Sequence, residues 1–366
     1  MMQKLRRGRG SMDKLPALMK ELKITCPMIV GRAQVEKLGM PDAPVFSDYH
    51  PNPDWADCAF GAALFREKGC DGLISLGGGS AMDTAKGVKA LLMAQTPEQA
   101  LSGDLAGEGV PHIAIPTSAG TGSEATPFAV VYVDGTKHSL SHQVLTPDAA
   151  VLDANLLDSL PLYHKKSCAL DALSQGIESY WAKGATEDSR VAAYLAIRGV
   201  LDNLRAYVAG DAYAAEEMLE AAYRSGKAIA VTRTTAAHAL SYGLTKRLGI
   251  AHGHACALTL PFLWAEMSTH EEMLPVLMEL AGVMRLGSDL MGPKLLQGIL
   301  LDLDMTAPKL DDPAVLDELA EKVNVQRLSN HPVALSEQTI RRIYRQAFAP
   351  MSDMERQACL DIWRYY

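Results

Sequence analysis

The 366 residues lack several things, and each absence removes a class of function. Nowhere is there a run of the roughly 20 apolar residues that a helix needs to cross a bilayer, so no membrane partner is expected. Lys and Arg form no basic stripe and the formal net charge is −8, which leaves no electrostatic ground for a nucleic-acid partner. The six cysteines, at positions 26, 58, 70, 168, 256 and 359, contain no CxxC pair. That is the pattern of reduced thiols in a cytoplasmic protein, and Cys256 reads as a small buried apolar residue. A basic cluster, LRRGRG at 5–10, has no apolar run behind it; it reads as a solvated start before the first helix and not as a targeting signal. Also missing is the GxGxxG spacing of the Rossmann fingerprint, although another glycine turn is present.

Apolar residues make up 48% and charged residues 21%, ordinary proportions for a soluble globular protein, and the length favours two domains over one core. Up to about Pro161, strand and helix patterns alternate. SMDKLPALMKEL (11–22) is a helix after a Ser cap, ITCPMIVGR (24–32) a strand ending at Gly31 and Arg32, and VFSDYHPNP (45–53) a strand and a Pro-rich turn. DWADCAFGAALFREKG (54–69) is an amphipathic helix, and CDGLISLGGGSAMDTAKGVKALLM (70–93) is a strand, a glycine turn and a helix in succession. HIAIP (112–116) is a strand, and AVVYVDGTKHSLSH (129–142) a hairpin about Asp134-Gly135. This alternation predicts a parallel sheet wound with right-handed crossovers. Beyond Tyr163 strand patterns vanish and helical spacing dominates, with no internal repeat or low-complexity tract; Ser336 caps a late helix. The expected fold class is therefore an α/β N-terminal nucleotide-binding domain with a parallel sheet over 1–160 and an all-α helical domain over 161–366.

The glycine turn has a chemical reading. Gly77, Gly78 and Gly79 let backbone N–H groups approach an anion, Ser80 can donate or cap, and the following helix adds positive potential. A dinucleotide pyrophosphate is the expected guest. The loop TSAGTGSEAT (117–126) is dense in hydroxyls and glycines and suits a nicotinamide or ribose, with a plain turn-rich connection as the alternative.

The stretch Ile229–Pro261 places His238 and Tyr242 one helical turn apart, stops a helix at Gly249, and delivers His252 and His254 from an HGH turn. Asp171 and Gln175 stand four apart on an earlier helical pattern. Asp171, His238 and His252 make a carboxylate and two imidazoles, a set for Zn²⁺ or Fe²⁺ that can polarise a carbonyl oxygen; spacing does not choose between the two metals. Singly, each has a structural reading: a helix-face carboxylate, a core histidine and a turn histidine. Their joint occurrence after a nucleotide-type half carries the metal reading.

These residues resemble a known family. GGGSAMDTAK (77–86) matches the GGGSxxDxAK motif of the iron-containing, or group III, alcohol dehydrogenases. PTSAGTGSEAT resembles their second characteristic loop, LDALSQGIESY their first ligand helix and AHAL…AHGHA their second; PNP at 51–53 also fits. The resemblance runs along nearly the whole chain. It implies a dehydroquinate synthase-like architecture, with cofactor and metal in the cleft between the two domains. It also implies cofactor contacts from Arg32, Asn52, Gly78, Gly79, Ser80, Asp83, Thr117, Ser118, Thr121 and Lys137, and metal contacts from Asp171, Gln175, His238 and His252.

Three positions depart from the family pattern. The family usually has a His where Gln175 stands, and an amide oxygen is a weaker donor. A second family His is replaced by Tyr242, a phenol able to donate a proton to a nascent alkoxide, with His254 as the other candidate proton donor. Arg32 stands where NAD-selective members tend to carry an acidic residue, so NADPH is expected to be favoured over NADH. The combination most resembles the phosphonoacetaldehyde reductase branch, which implies reduction of that small aldehyde to 2-hydroxyethylphosphonate. Lys137, His138, Arg233 and Lys246 are available as anchors for the phosphonate. A homo-oligomer, a dimer, is the expected assembly. Two alternatives stand beside this: a dehydroquinate synthase-type lyase that uses NAD transiently, and a family member altered in catalysis.

Overall fold

A computed structural model of the chain describes residues 3–106, 109–324 and 328–366. In the first half, β1 (Lys4–Arg7), β2 (Pro27–Gly31), β3 (Val45–Phe46), β4 (Gly72–Gly77), β5 (His112–Pro116) and β8 (Ala149–Leu152) form a parallel sheet in the order β1-β8-β5-β4-β2-β3. The antiparallel pair β6 (Phe128–Val133) and β7 (Thr136–Ser141) turns through Asp134 (φ 50°) and Gly135 (φ 72°), the hairpin expected from the sequence.

Both faces of the sheet are covered, which is why its strands read as continuous apolar runs. Ile29, Ile74, Ile113 and Val151 pack with Leu15 and Leu18 of α1 (Leu15–Leu22). Met28, Val30 and Leu73 pack on the other side with α2 (Trp55–Glu67) and α3 (Gly79–Met93). From β2 the chain runs outward to β3 and then returns on the opposite side of β2 as β4. Open parallel sheets bind ligands at such a reversal, off the carboxyl ends of the strands. There Gly31 pairs with Leu76 and Gly77 with Pro116, so the turns after β2, β4 and β5 start at one level.

The basic start differs from its expected role as solvated chain. Lys4–Arg7 is a strand, paired with β8 at the edge of the sheet, where Lys4 and Arg6 reach Glu21 at 2.8 and 2.6 Å. An edge strand tolerates charged side chains, so composition alone concealed it.

The chain separates into two units, Met1–Leu160 and Pro161–Tyr366. Among its described residues the second contains helices and no strand. After the short α4 (Pro97–Ser102) of the first unit come α5 (Leu162–Trp181), α6 (Glu187–Val208), α7 (Ala212–Thr232), α8 (Ala236–Leu248) and α9 (His252–Met267). These are followed by α10 (Leu274–Val283), α11 (Met291–Asp302), α12 (Val315–Glu321), α13 (Glu337–Ala347) and α14 (Asp353–Arg364). Ser336 accepts from the Thr339 N–H and caps α13, as its sequence predicts. The helix α5 packs on α6, α7 and α9, and α8 packs on α9, an arrangement that brings the two ligand stretches together.

Candidate metal centre and nucleotide turn

Asp171, Gln175 and Glu178 follow one another at intervals of four and three along α5, so they share one face of that helix. All three are buried, and Glu178 is wholly so. A buried carboxylate needs donors, and the start of α8 supplies them. Glu178 Oε1 accepts from Thr235 N (3.1 Å), Ala237 N (2.7 Å) and the Thr235 hydroxyl (2.7 Å), while Oε2 accepts from His238 Nδ1. Burial works against its charge, yet these donors and the imidazole hold Glu178 below the ordinary carboxylate range.

That bond fixes the imidazole. With Nδ1–H given to Glu178, Nε2 of His238 presents its lone pair, and it lies 3.3 Å from Asp171 Oδ1. Neither of these two buried atoms has a hydrogen-bond partner. Two acceptors facing each other in a buried pocket repel unless a cation or a proton lies between them. His252 Nε2 stands 3.9 Å from the same carboxylate oxygen, and its Nδ1 is 3.2 Å from the Ser241 hydroxyl. Cys256 Sγ lies 3.8 Å from His252 Nε2, and the ligand atoms of Asp171, His238, His252 and Cys256 all fall within 4.8 Å of one another. A tetrahedral ion with bonds of about 2.0–2.3 Å has ligand-to-ligand edges of about 3.3–3.8 Å, so the donor set and its spacing fit a divalent metal.

The electrostatics agree. Burial favours the neutral imidazole, but Cys256, Glu178 and Asp171 together raise His238 well above its usual value. His252 is also raised, against burial, by Cys256 and Asp171. Asp171 is lowered despite burial, by His238 and by His252, and the two imidazoles bring the Cys256 thiol down to about 7 against the same opposing effect. The pocket is built to concentrate positive charge at its centre. His252 is the open side, with its side chain 37% exposed against 5% for His238.

The structure brings Asp171, His238 and His252 together as expected, and puts Tyr242 beside them. The Tyr242 ring stacks on His252 with centroids 5.6 Å apart and planes 14° from parallel. Two expected residues have other partners. Gln175 turns its carbonyl to the Ser225 hydroxyl (2.7 Å) and its amide N–H towards Asp171 Oδ2 (3.4 Å), so it braces the carboxylate and does not offer an oxygen to the centre. His254 is bound at Nε2 to the Met305 carbonyl (2.8 Å) and at Nδ1 to the Tyr163 hydroxyl (3.2 Å), outside the cluster. The reason is local: His252 opens a helix instead of a turn, and two residues along a helix rotate a side chain by roughly 200°. Glu178 and Cys256 join the site although residue type alone does not mark them, a glutamate on a helix and a small buried thiol. The spacing of Glu178 from Asp171 and of Cys256 from His252 was the available signal.

In the first unit the glycine turn leads from β4 directly into α3. At Gly77 (φ 157°) a Cβ would sit 2.7 Å from that of Ala81, so only glycine lets the turn close. Gly78 and Gly79 face Ser118 and Thr121, and the Thr117 N–H donates to the Gly77 carbonyl at 3.0 Å. Ser80 donates to the Pro51 carbonyl, which holds the turn bearing the exposed Asn52 against α3. Asp83 has a structural engagement. It accepts from the Ser123 hydroxyl (3.1 Å) and Val130 N (3.1 Å), tying α3 to the loop and to β6; burial raises its pKa, against the opposing charge of Lys86, these two donors and Lys137. Arg32 is exposed; its Nε donates to the Ser47 carbonyl (3.0 Å) and its guanidinium lies 4.3 Å from the Tyr49 ring centre. His138, Arg233 and Lys246 are exposed as well.

Comparison with known proteins bears on both halves. A model of the family described as "Iron-containing alcohol dehydrogenase" matches residues 3–154, and one described as "Fe-containing alcohol dehydrogenase family, C-terminal" matches 166–348. The phosphonoacetaldehyde reductase of Streptomyces viridochromogenes is 39% identical over 230 residues, 58% of this chain; the chain spans 57% of that relative's length. Long-chain-alcohol dehydrogenase 1 of Geobacillus thermodenitrificans is 30% identical over 93% of this chain and 94% of its own. Among solved structures, the sulfoacetaldehyde reductase of Bifidobacterium kashiwanohense in complex with NAD+ superposes with a TM-score of 0.84 at 26% identity, covering 95% of this chain and 97% of that one. With both halves matched by its models, and a relative aligned almost from end to end, the chain belongs to the iron-containing alcohol dehydrogenase family.

Proposed function

We propose that this chain reduces a small aldehyde to its alcohol with NAD(P)H, binding the dinucleotide in residues 1–160 and a divalent metal, Fe²⁺ or Zn²⁺, in residues 161–366. Asp171, His238 and His252 would hold the ion. The observation that carries the reading is the pair of buried, partnerless acceptors, Asp171 Oδ1 and His238 Nε2, turned towards each other. A Lewis acid for the carbonyl oxygen is what such an ion supplies when bound.

The chain's own residues do the rest. Glu178 keeps the His238 lone pair pointed inward, and Gln175 steadies Asp171. Tyr242, stacked on the exposed edge of the site, donates its phenolic proton to the alkoxide oxygen as hydride arrives at the carbon. His254 does not compete for that role, because both its ring nitrogens are engaged. Gly78, Gly79 and Ser80 receive the pyrophosphate, and Thr117, Ser118 and Thr121 lie beside them for the ribose and nicotinamide. Arg32, anchored through Nε and stacked on Tyr49, keeps its terminal nitrogens for a 2′-phosphate, which supports NADPH.

Phosphonoacetaldehyde is the proposed substrate. The 39%-identical relative is named for its reduction, and the NAD+-bound structural neighbour is named for an aldehyde that also carries a strong oxyanion. Lys137, His138, Arg233 and Lys246 are the candidate anchors. The test follows oxidation of NADPH and NADH by metal-loaded protein with phosphonoacetaldehyde, sulfoacetaldehyde and uncharged propionaldehyde. The highest kcat/KM is expected for phosphonoacetaldehyde with NADPH. Oxidation with none of the aldehydes defeats the reductase reading, and equal rates with propionaldehyde defeat the anionic substrate.

A further inference from the structure

We propose that Cys256 is a ligand of the metal as its thiolate, making an Asp171–His238–His252–Cys256 site that favours a thiophilic cation such as Zn²⁺ over Fe²⁺. This rests on the metal reading above and deepens it by assigning the fourth ligand. Cys256 follows His252 by four residues on α9, so the two side chains share a helix face. Its sulfur is fully buried, 3.8 Å from His252 Nε2, and within 4.8 Å of the Asp171 and His238 ligand atoms. Those two atoms, each nine-tenths or more buried and without a hydrogen-bond partner, mark independently where a cation goes. The residue one turn after Asp171 does not compete for the position, because Gln175 directs its oxygen at Ser225. Among the described residues, Cys256 is the one cysteine found in such a donor cluster.

Coordination here is an acid–base step with no change of oxidation state. The S–H bond breaks, its proton leaves to solvent, and a metal–sulfur bond forms. Thiolate and carboxylate together neutralise the dication, and the soft sulfur is what selects zinc over iron. Four protein ligands would hold the ion, and a carbonyl oxygen to be polarised would approach from the side where His252 is exposed.

The test uses the full chain stripped of metal and reloaded with Co²⁺ or Zn²⁺. A sulfur-to-cobalt charge-transfer band is expected in the near ultraviolet. X-ray absorption of the zinc form should contain one sulfur at about 2.3 Å beside nitrogen and oxygen at about 2.0–2.2 Å. Cys256→Ser should lose both signals, bind Zn²⁺ at least about 10-fold more weakly, and lose preference for zinc in competition with Fe²⁺. Cys168→Ser should keep them. Stoichiometric metal with no sulfur in the wild-type spectra overturns the thiolate and leaves the three-residue reading standing. Wild-type protein that takes up neither ion, and behaves as Asp171→Asn does, overturns both. The wild-type spectra decide the matter even if the serine variant does not fold.

Discussion

Gly253 sits between the two histidines of the HGH sequence, and a single methyl group there should empty the metal centre. A Cβ at this position would lie 2.0 Å from the Ser167 carbonyl oxygen, 2.7 Å from Asp171 Cβ and 2.8 Å from Asp171 N. All three atoms belong to the α5 backbone or to the stem of the ligand itself, so no flexible side chain can swing aside. A carbon–oxygen contact relaxes only near 3.3 Å, so α9 must retreat from α5 by about 1 Å or more. The gap between Asp171 Oδ1 and His252 Nε2 is 3.9 Å and would open to about 5 Å, beyond what one ion with bonds of about 2.0–2.2 Å can bridge. We expect Gly253→Ala to lose about 1–3 kcal/mol of stability from overpacking and about 100-fold or more in kcat from the displaced ligands. Metal content by atomic emission, thermal unfolding and coenzyme-oxidation rate on the same preparation check this. A variant with full metal and kcat within twofold of wild type would refute the idea that α5–α9 contact sets the ligand spacing.

His238→Ala should abolish turnover while coenzyme affinity, measured by nucleotide fluorescence, stays within about twofold, because the glycine turn belongs to the other unit. Retained turnover in that variant after chelation defeats the mechanism. Arg32→Asp should reverse a preference for NADPH, read as the ratio of kcat/KM for the two coenzymes, by about 10-fold or more; an unchanged ratio removes Arg32 from coenzyme choice. Glu124 is raised by burial from 4.5 to about 7, with its own backbone N–H and Lys86 opposing. Its neutral form fits the fold, so the stabilisation is whole below pH 4.5 and is lost as pH rises through about 7, a change of roughly 3 kcal/mol. Glu124→Gln should therefore flatten the stability profile between those values, and denaturant unfolding at a series of pH values will show whether it does.

Much of this is legible in the sequence. Parallel strands buried on both faces leave continuous apolar runs, and the helical unit leaves apolar spacing of period 3.6, so PMIV, LISL and HIAI announced a sheet and the later stretches a bundle. Asp134-Gly135 announced its own hairpin. Lys4–Arg7 did not, because an edge strand is recognised by its partner β8 and not by its own side chains. Within the site, Asp171, His238 and His252 stood out by residue type. The proton-donor reading of His254 followed from taking HGH as a turn, where neighbours can converge; on a helix they diverge, and the same geometry turns Cys256 inward. Glu178 was hidden because a glutamate on a helix is ordinarily solvated. Only tertiary contact with the first turn of α8 reveals what it binds.

That contact has a thermodynamic consequence. One carboxylate receives the free N–H groups at the head of α8 and also sets the tautomer of an imidazole, so the integrity of the helix end and the ligand strength of His238 are one equilibrium seen from two places. Linkage then runs in both directions: whatever draws on the inward lone pair also tightens the backbone at Thr235 and Ala237. Amide-exchange rates at those two positions become a non-catalytic gauge of how firmly the centre is filled.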